Sequence, residues 1–326
     1  MIETEGLRKT FQTRQGRVVR TVEAVRSVDL HVREGEIFGF LGPNGAGKTT
    51  TLRMLTTLLT PDAGRASIAG ADLLREPDEV RRRIGYVSQG GGTWDEVTAR
   101  EELVHQARMY GFSRADAHAR AAAALAAFDL TEYADRKCKT YSGGQRRRVD
   151  IALGVIHSPK VLFLDEPTTG LDPQSRARMW DEIRRLRSEG MTVFITTHYL
   201  EEADALCDRI AIIDHGEIVA EGTPQALKRE ISGDVVSVTL APWMESDGVD
   251  DRLRTAAEVL RSEPYVRSLE LHDAGLRLFV ESGATAIPHI ARVLDQKGIV
   301  LDSIEIHRPS LDDVFLAKTG RSLRES

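Results

Sequence analysis

Cysteine is almost absent from this chain: Cys138 and Cys207 are the only two, far apart and in no metal-ligand spacing. That excludes a disulfide framework and suits a reducing cytoplasm. No stretch reaches the roughly 18 consecutive apolar residues of a membrane-spanning helix. The opening Met1-Ile2-Glu3-Thr4-Glu5 has neither the basic nor the apolar block of a signal peptide. A basic surplus is missing too, since 44 Lys and Arg stand against 50 Asp and Glu, for a formal net charge of -6. A protein that grips nucleic acid through a dominant basic face is thereby disfavoured, and no nucleic-acid partner is expected. These absences predict a soluble chain that would serve a membrane only by docking to another protein. With 326 residues it has room for two domains.

What is present is a phosphate loop. Gly42-Pro43-Asn44-Gly45-Ala46-Gly47-Lys48-Thr49 fills every fixed position of G-x-x-x-x-G-K-[ST]. Glycines let the backbone curl so that successive N–H groups face phosphate oxygens, while Lys48 adds a point charge and Thr49 offers a hydroxyl to Mg2+. Ile37-Phe38-Gly39-Phe40-Leu41 just before it has the composition of a buried parallel strand. Residues 50 to 58 carry apolar positions at helical spacing, which would turn the positive end of a helix dipole toward bound phosphates.

Ahead of the loop, Ile2 to Leu7, Val18 to Val25 and Val28 to Val32 read as short strands, with Phe11 in the first turn. A ring there can stack on a nucleotide base or lie in a core, and residue type alone favours the core. Ile84 to Ser88 predicts a strand that delivers Gln89 to the flexible Gly90-Gly91-Gly92. From about Val97 to Ala134 the pattern turns helical, most clearly over Glu101 to Tyr110 and Arg114 to Phe128. Ser142-Gly143-Gly144-Gln145 precedes a helix starting near Arg146, with Ser142 as a natural N-cap beside N–H groups able to grip an anion. Val161-Leu162-Phe163-Leu164-Asp165-Glu166 is a buried strand ending in two carboxylates. Downstream of a phosphate loop, that pair suits one carboxylate beside Mg2+ and one polarising water. Gly170-Leu171-Asp172, a helix over Pro173 to Glu189, and a strand over Thr192 to Thr196 ahead of His198 complete the set.

In this order the motifs resemble the nucleotide-binding subunit of ATP-binding cassette (ABC) transporters, over roughly residues 2 to 225. The chain is similar above all to the ATP-binding subunits of daunorubicin and doxorubicin resistance exporters, through Lys139-Thr140-Tyr141-Ser142-Gly143-Gly144, Arg146-Arg147-Arg148-Val149-Asp150-Ile151-Ala152 and Leu311-Asp312-Asp313-Val314-Phe315-Leu316. The resemblance implies an ATPase of α/β, P-loop NTPase fold over residues 1 to 232, with a helical subdomain over about 90 to 145. It implies ATP and Mg2+ as cofactors. Gly42, Pro43, Asn44, Gly45, Ala46, Gly47, Lys48, Thr49 and Thr50 would hold the phosphates and Phe11 the base. Thr49, Gln89 and Asp165 would hold the metal, with Glu166 as catalytic base and His198 on the terminal phosphate. Ser142, Gly143, Gly144, Gln145 and Asp172 would cover the ATP of a second copy in a head-to-tail homodimer. A transmembrane permease on a separate chain is the further partner, which places the protein at the cytoplasmic face of the cell membrane. Tyr141 stands where the family usually has leucine, outside the phosphate-gripping atoms. A subunit with another cargo, such as lipid or polysaccharide, keeps the same enzyme. A non-transport ABC protein acting on DNA or ribosomes fits less well, because only 53 positions separate Gln89 from Ser142, too few for a long coiled-coil arm.

After Gly233, strands over Val235 to Leu240, Val266 to His272, Leu276 to Glu281 and Ile299 to His307 alternate with helices over Asp251 to Ser262 and Ala286 to Gln296. This β-α-β-β-α-β order predicts a small α+β ferredoxin-like domain over residues 233 to 326, ending in a helix capped by Ser310. Dimer support, effector binding and contact with a membrane subunit all remain open for it, since a fold assigns no job.

Overall fold

The computed structural model describes residues 1–15, 18–230, 233–241, 249–272, 275–307 and 309–319. It divides into two compact units, Met1–Pro224 and a second beginning at Gln225. The sequence-based boundary after residue 232 touches positions 231 and 232, which lie outside the described residues.

The first unit is built on one ten-stranded sheet. Its order is Ala71–Asp72, Ala63–Ile68, Ile2–Gln15, Val18–Val32, Glu217–Gly222, Arg209–Asp214, Ile37–Leu41, Thr192–Thr197, Val161–Asp165 and Ile84–Val87. The last five strands are parallel neighbours. Every residue of Ile37–Leu41, Val161–Asp165 and Thr192–Thr197 is buried, which explains runs that are apolar without alternation. Phe194 sits at the centre, its ring 5.7, 5.6 and 5.5 Å from those of Phe38, Phe40 and Phe163.

Three local expectations change. The chain start forms two long antiparallel strands instead of short ones, because register shifts between Thr4 and Thr10, with Gly6 at φ 58°, absorb the irregular pattern as bulges. Phe11 therefore lies inside a strand, opposite Val22, and not in a turn. The helix after the phosphate loop spans Lys48–Leu55, starting within the loop and ending before Thr57, whose φ of 63° stops it. The signature helix spans Gly143–Val155 and starts earlier than Arg146, because Ser142 and Gln145 cap each other reciprocally.

The helical subdomain rests on similar local chemistry. Ala99–Met109 begins with a Thr98 and Glu101 capping box, and Arg114–Ala127 with the Ser113 hydroxyl accepting from Asp116 N. These two helices bury Ala99, Leu103 and Ala107, and Ala117, Ala121 and Leu125, each set at four-residue spacing.

In the second unit, Asp234–Leu240, Val249–Arg261, Val266–His272, Gly275–Val280, Gly283–Gln296 and Leu301–His307 follow the β-α-β-β-α-β order. The sheet runs Val266–His272, Gly275–Val280, Asp234–Leu240, Leu301–His307, antiparallel at each pairing. This is the ferredoxin-like arrangement. Val236, Val238, Leu276 and Leu278 from strands meet Ala256, Leu260, Ile290 and Leu294 from helices in its core. A final helix, Leu311–Thr319, has the Ser310 hydroxyl accepting from Asp313 N at 3.3 Å.

Candidate active site

The carboxyl ends of four parallel strands share one edge of the first sheet. Leu41 pairs with Thr197, Asp165 with Thr196, and Leu164 with Val87. The residues that follow, Gly42 onward, His198, Glu166 and Gln89, therefore leave the sheet together, as ligand-binding residues do in open α/β sheets.

Sterics leave the phosphate loop no alternative to glycine at its first position. A Cβ on Gly42 would lie 2.3 Å from Ile213 O, and Gly45 and Gly47 take φ of 80° and 108°. Gly47 caps the Lys48–Leu55 helix without a side-chain hydrogen bond, so no side chain competes for the amides of its first turn. Lys48 is buried, and its Nζ donates to Gly42 O at 2.7 Å and Pro43 O at 3.1 Å, with Glu166 Oε1 3.4 Å away. Burial pulls its pKa below the usual lysine value, and the Glu166 carboxylate opposes that shift.

Asp165 and Glu166, adjacent in sequence, point to different partners. Asp165 Oδ1 accepts from Thr196 Oγ1 at 2.6 Å and from Thr49 Oγ1 at 3.3 Å. Glu166 turns through a left-handed φ of 46°, a conformation costing a non-glycine residue about 1–2 kcal/mol. Its N–H is held by Thr196 O and Thr196 Oγ1, both at 3.1 Å. The turn aims its carboxylate at the loop: Oε2 accepts from Gln89 Nε2 at 3.1 Å and from Thr169 Oγ1 at 3.2 Å. His198 Nδ1 also lies 3.1 Å from Oε2, without hydrogen-bond alignment. Gln89 is thus placed on the Glu166 carboxylate and not beside Thr49 and Asp165.

A divalent cation fits this chemistry. Thr49 and Asp165 offer hard oxygens side by side, the donor type Mg2+ takes together with phosphate and water. Among the described residues no group of three His, Cys, Asp or Glu forms an all-protein cage, as expected where substrate completes the shell.

Ser142–Gln145 and Asp172 form a second, separate cluster. Ser142 Oγ accepts from Gln145 N at 3.2 Å and Gln145 Oε1 accepts from Ser142 N at 2.9 Å. Asp172 caps Pro173–Ser188, accepting from Ser175 N at 2.9 Å and Ser175 Oγ at 2.6 Å, which holds its carboxyl below the usual range. Gly144 packs so closely on Ser175 that a Cβ there would lie 2.8 Å from its Oγ. Among the described residues, no hydrogen bond or ion pair links this cluster to Lys48, Asp165 or Glu166. Phe11 is 38% exposed, and its partner Val22 is two residues along the strand from Ala24, whose carbonyl lies 2.5 Å from where a Gly47 Cβ would sit.

Sequence reasoning missed Thr169 and Thr196. For Thr196 a signal existed, since a hydroxyl in a fully buried strand needs a partner, and that partner is Asp165.

Two family models match the chain: "ABC transporter" over residues 25–169 and "ATP-binding protein DrrA1-3-like, C-terminal domain" over 222–319. It is 44% identical over 297 residues to the daunorubicin resistance ATP-binding protein DrrA2 of Streptomyces coeruleorubidus, covering 91% of this chain and 90% of that one. It is 43% identical over 323 residues to the daunorubicin/doxorubicin resistance ATP-binding protein DrrA of Streptomyces peucetius, covering 98% and 92%. Among solved structures, a dimeric post-hydrolysis state of an ATP-binding cassette bound to ADP and Pi matches with a TM-score of 0.61 and 28% identity, over 68% of this chain and 98% of that one.

Proposed function

This chain belongs to the ABC transporter ATP-binding proteins with a DrrA1-3-like C-terminal domain, and we propose that it hydrolyses ATP to energise efflux of hydrophobic drugs or antibiotics through a separate membrane permease. The observation that carries this reading is the convergence of Lys48, Gln89, Thr169 and His198 on one buried Glu166 carboxylate.

In this reading the loop amides from Gly42 to Thr50 cradle the phosphates, and Lys48 exchanges the carbonyls of Gly42 and Pro43 for phosphate oxygens. Phe11 stacks on the base. Thr49 and Asp165 would hold Mg2+, which when bound neutralises charge on the phosphate oxygens. Glu166 orients or deprotonates the attacking water, steadied by the hydroxyl of Thr169 and the amide of Gln89. His198 contacts the terminal phosphate.

The second cluster gives the assembly its logic. Ser142 and Gly143 are exposed at the start of the signature helix, and this reading makes them cover the ATP held by the phosphate loop of a second copy. A head-to-tail homodimer would close on ATP and open after hydrolysis, passing its stroke to the permease through the helical subdomain and residues 89 to 98. Among the described residues no helix is long and apolar enough to cross a membrane, and the reading assigns the membrane path to that partner at the cytoplasmic face.

Co-expression with candidate membrane permeases tests the proposal. Co-purification from membranes and stimulation of ATP hydrolysis by candidate drugs are expected. Failure to associate with membranes under any condition would sink the transport reading.

A further inference from the structure

In the run Arg146-Arg147-Arg148 on the signature helix each guanidinium reaches a main-chain carbonyl, Arg146 while also pairing with Asp95 Oδ1 at 2.5 Å. Arg146 Nη2 donates to Thr93 O at 2.8 Å and Arg148 Nη1 to Phe128 O at 3.0 Å. Arg147, between them, is 7% exposed, and its guanidinium donates to Ser88 O at 2.7 Å, Pro167 O at 2.9 Å and Asp165 O at 3.1 Å. One turn on, Asp150 is buried as well. Its Oδ1 accepts from Gly92 N at 2.9 Å, Thr93 N at 3.1 Å and Thr93 Oγ1 at 2.5 Å.

Burying a guanidinium and a carboxylate is costly, and two apolar side chains would fill such space without desolvation. What the pair provides instead is a set of hydrogen bonds to the main chain of two loops. Ser88 and Gly92 bracket Gln89, while Asp165 and Pro167 bracket Glu166. Gly91 N closes the intervening turn onto Ser88 O at 3.1 Å, the same oxygen that Arg147 holds. Gly91 itself has φ 74°, and a Cβ there would lie 2.7 Å from Asp150 Oδ2, so the carboxylate reaches the loop only past a glycine. The helix is seated as closely on the strand before Gln89, since a Cβ on Gly85 would lie 2.1 Å from Gly154 O.

We propose that Arg147 and Asp150 are positioning residues for ATP hydrolysis, fixing the Gln89 turn and the Glu166 peptide to one helix so that a tilt of the signature helix moves both together. The proposal rests on the roles given above to Gln89 and Glu166. It links the exposed start of that helix, at Ser142, to the hydrolytic carboxylate within the same copy.

The test is a double-mutant cycle on the full-length chain, reading kcat, ATP KM and thermal melting. Asp150→Ala should lower kcat about ten- to a hundredfold, as a small displacement of catalytic groups does, with KM held within about twofold. Asp150→Asn keeps an acceptor for the Gly92 and Thr93 amides and should recover most of the turnover. Combined with Gln89→Ala, Asp150→Ala should add no further loss, because it acts through the same turn. Additive losses, or a KM rise at unchanged kcat, overturn the proposal. Should Asp150→Ala not fold, Gly91→Ala pushes on the same carboxylate from the loop side, and full turnover in it overturns the proposal equally. Loss of turnover in Gln89→Ala without loss in Asp150→Ala removes only the positioning role. Full turnover in Gln89→Ala removes the role of Gln89, and the proposal with it.

Discussion

In the first unit, parallel strands buried on both faces end along one edge, and each hands a polar side chain to the loop that follows. The antiparallel sheet of the second unit alternates instead, as Gly275–Val280 does, with Leu276, Leu278 and Val280 turned inward and Arg277 outward. One sheet uses its strands to aim loops; the other uses them to hold two helices. Chemistry and stability should therefore be separable by substitution, the first sensitive at strand ends and the second at strand interiors.

The largest effect is expected from Glu166→Gln. It should lower turnover about 10²–10⁴-fold while ATP binding survives and closed dimers accumulate in size-exclusion runs. Undiminished hydrolysis would take the base away from Glu166. Leu278→Ala, at a fully buried position of the second unit, should cost about 2–5 kcal/mol of that unit's stability and leave ATP KM unchanged. A matching change in KM would show that the two units do not divide the work this way. Phe11→Ala comes next, raising ATP KM about fivefold, or ~1 kcal/mol, at constant kcat. A ring serving only as packing would leave KM where it was.

The smallest signal is a pH slope. Glu102, half-buried in the helical subdomain, accepts from Trp94 N at 3.0 Å, and burial pushes its carboxyl up to about 7. The fold thus favours the neutral acid. Its contribution is complete below the ordinary glutamate range and is lost as pH rises through about 7. Glu102→Gln should abolish that loss, so the melting difference between variant and parent should widen between pH 4.5 and about 7, in the first unit only, and level off above it. A constant difference would break the assignment.

Much of this was legible from residues alone. Apolar runs such as Val161–Asp165 are long enough, and their flanking motifs specific enough, to place Asp165, Glu166 and His198 at or just past strand ends and Lys48 at the start of a helix. The β-α-β-β-α-β order of the second unit was legible for the same reason, as its periodicity is strong and its turns short. What escaped was long-range. The buried roles of Arg147 and Asp150 depend on loops about sixty residues away in sequence, Ser88 and Thr93, and no local pattern separates such charges from a solvated helix face. Gln89 shows the same limit, since its reach to Glu166 arises only once two parallel strands lie side by side.

The ladder beneath the site sets the grain of its geometry. Because Thr197 lies opposite Leu41, Thr196 opposite Asp165 and Val87 opposite Leu164, the loops start from neighbouring rungs about 4.8 Å apart. Spacing on such a lattice changes in whole steps. Softening the core around Phe194 should slacken the protein long before it blurs the distance between Lys48 and Glu166. One residue inserted into the Val161–Asp165 strand would turn Asp165 to the opposite face and abolish the site outright. The molecule should thus tolerate erosion by substitution far better than a single miscount in length.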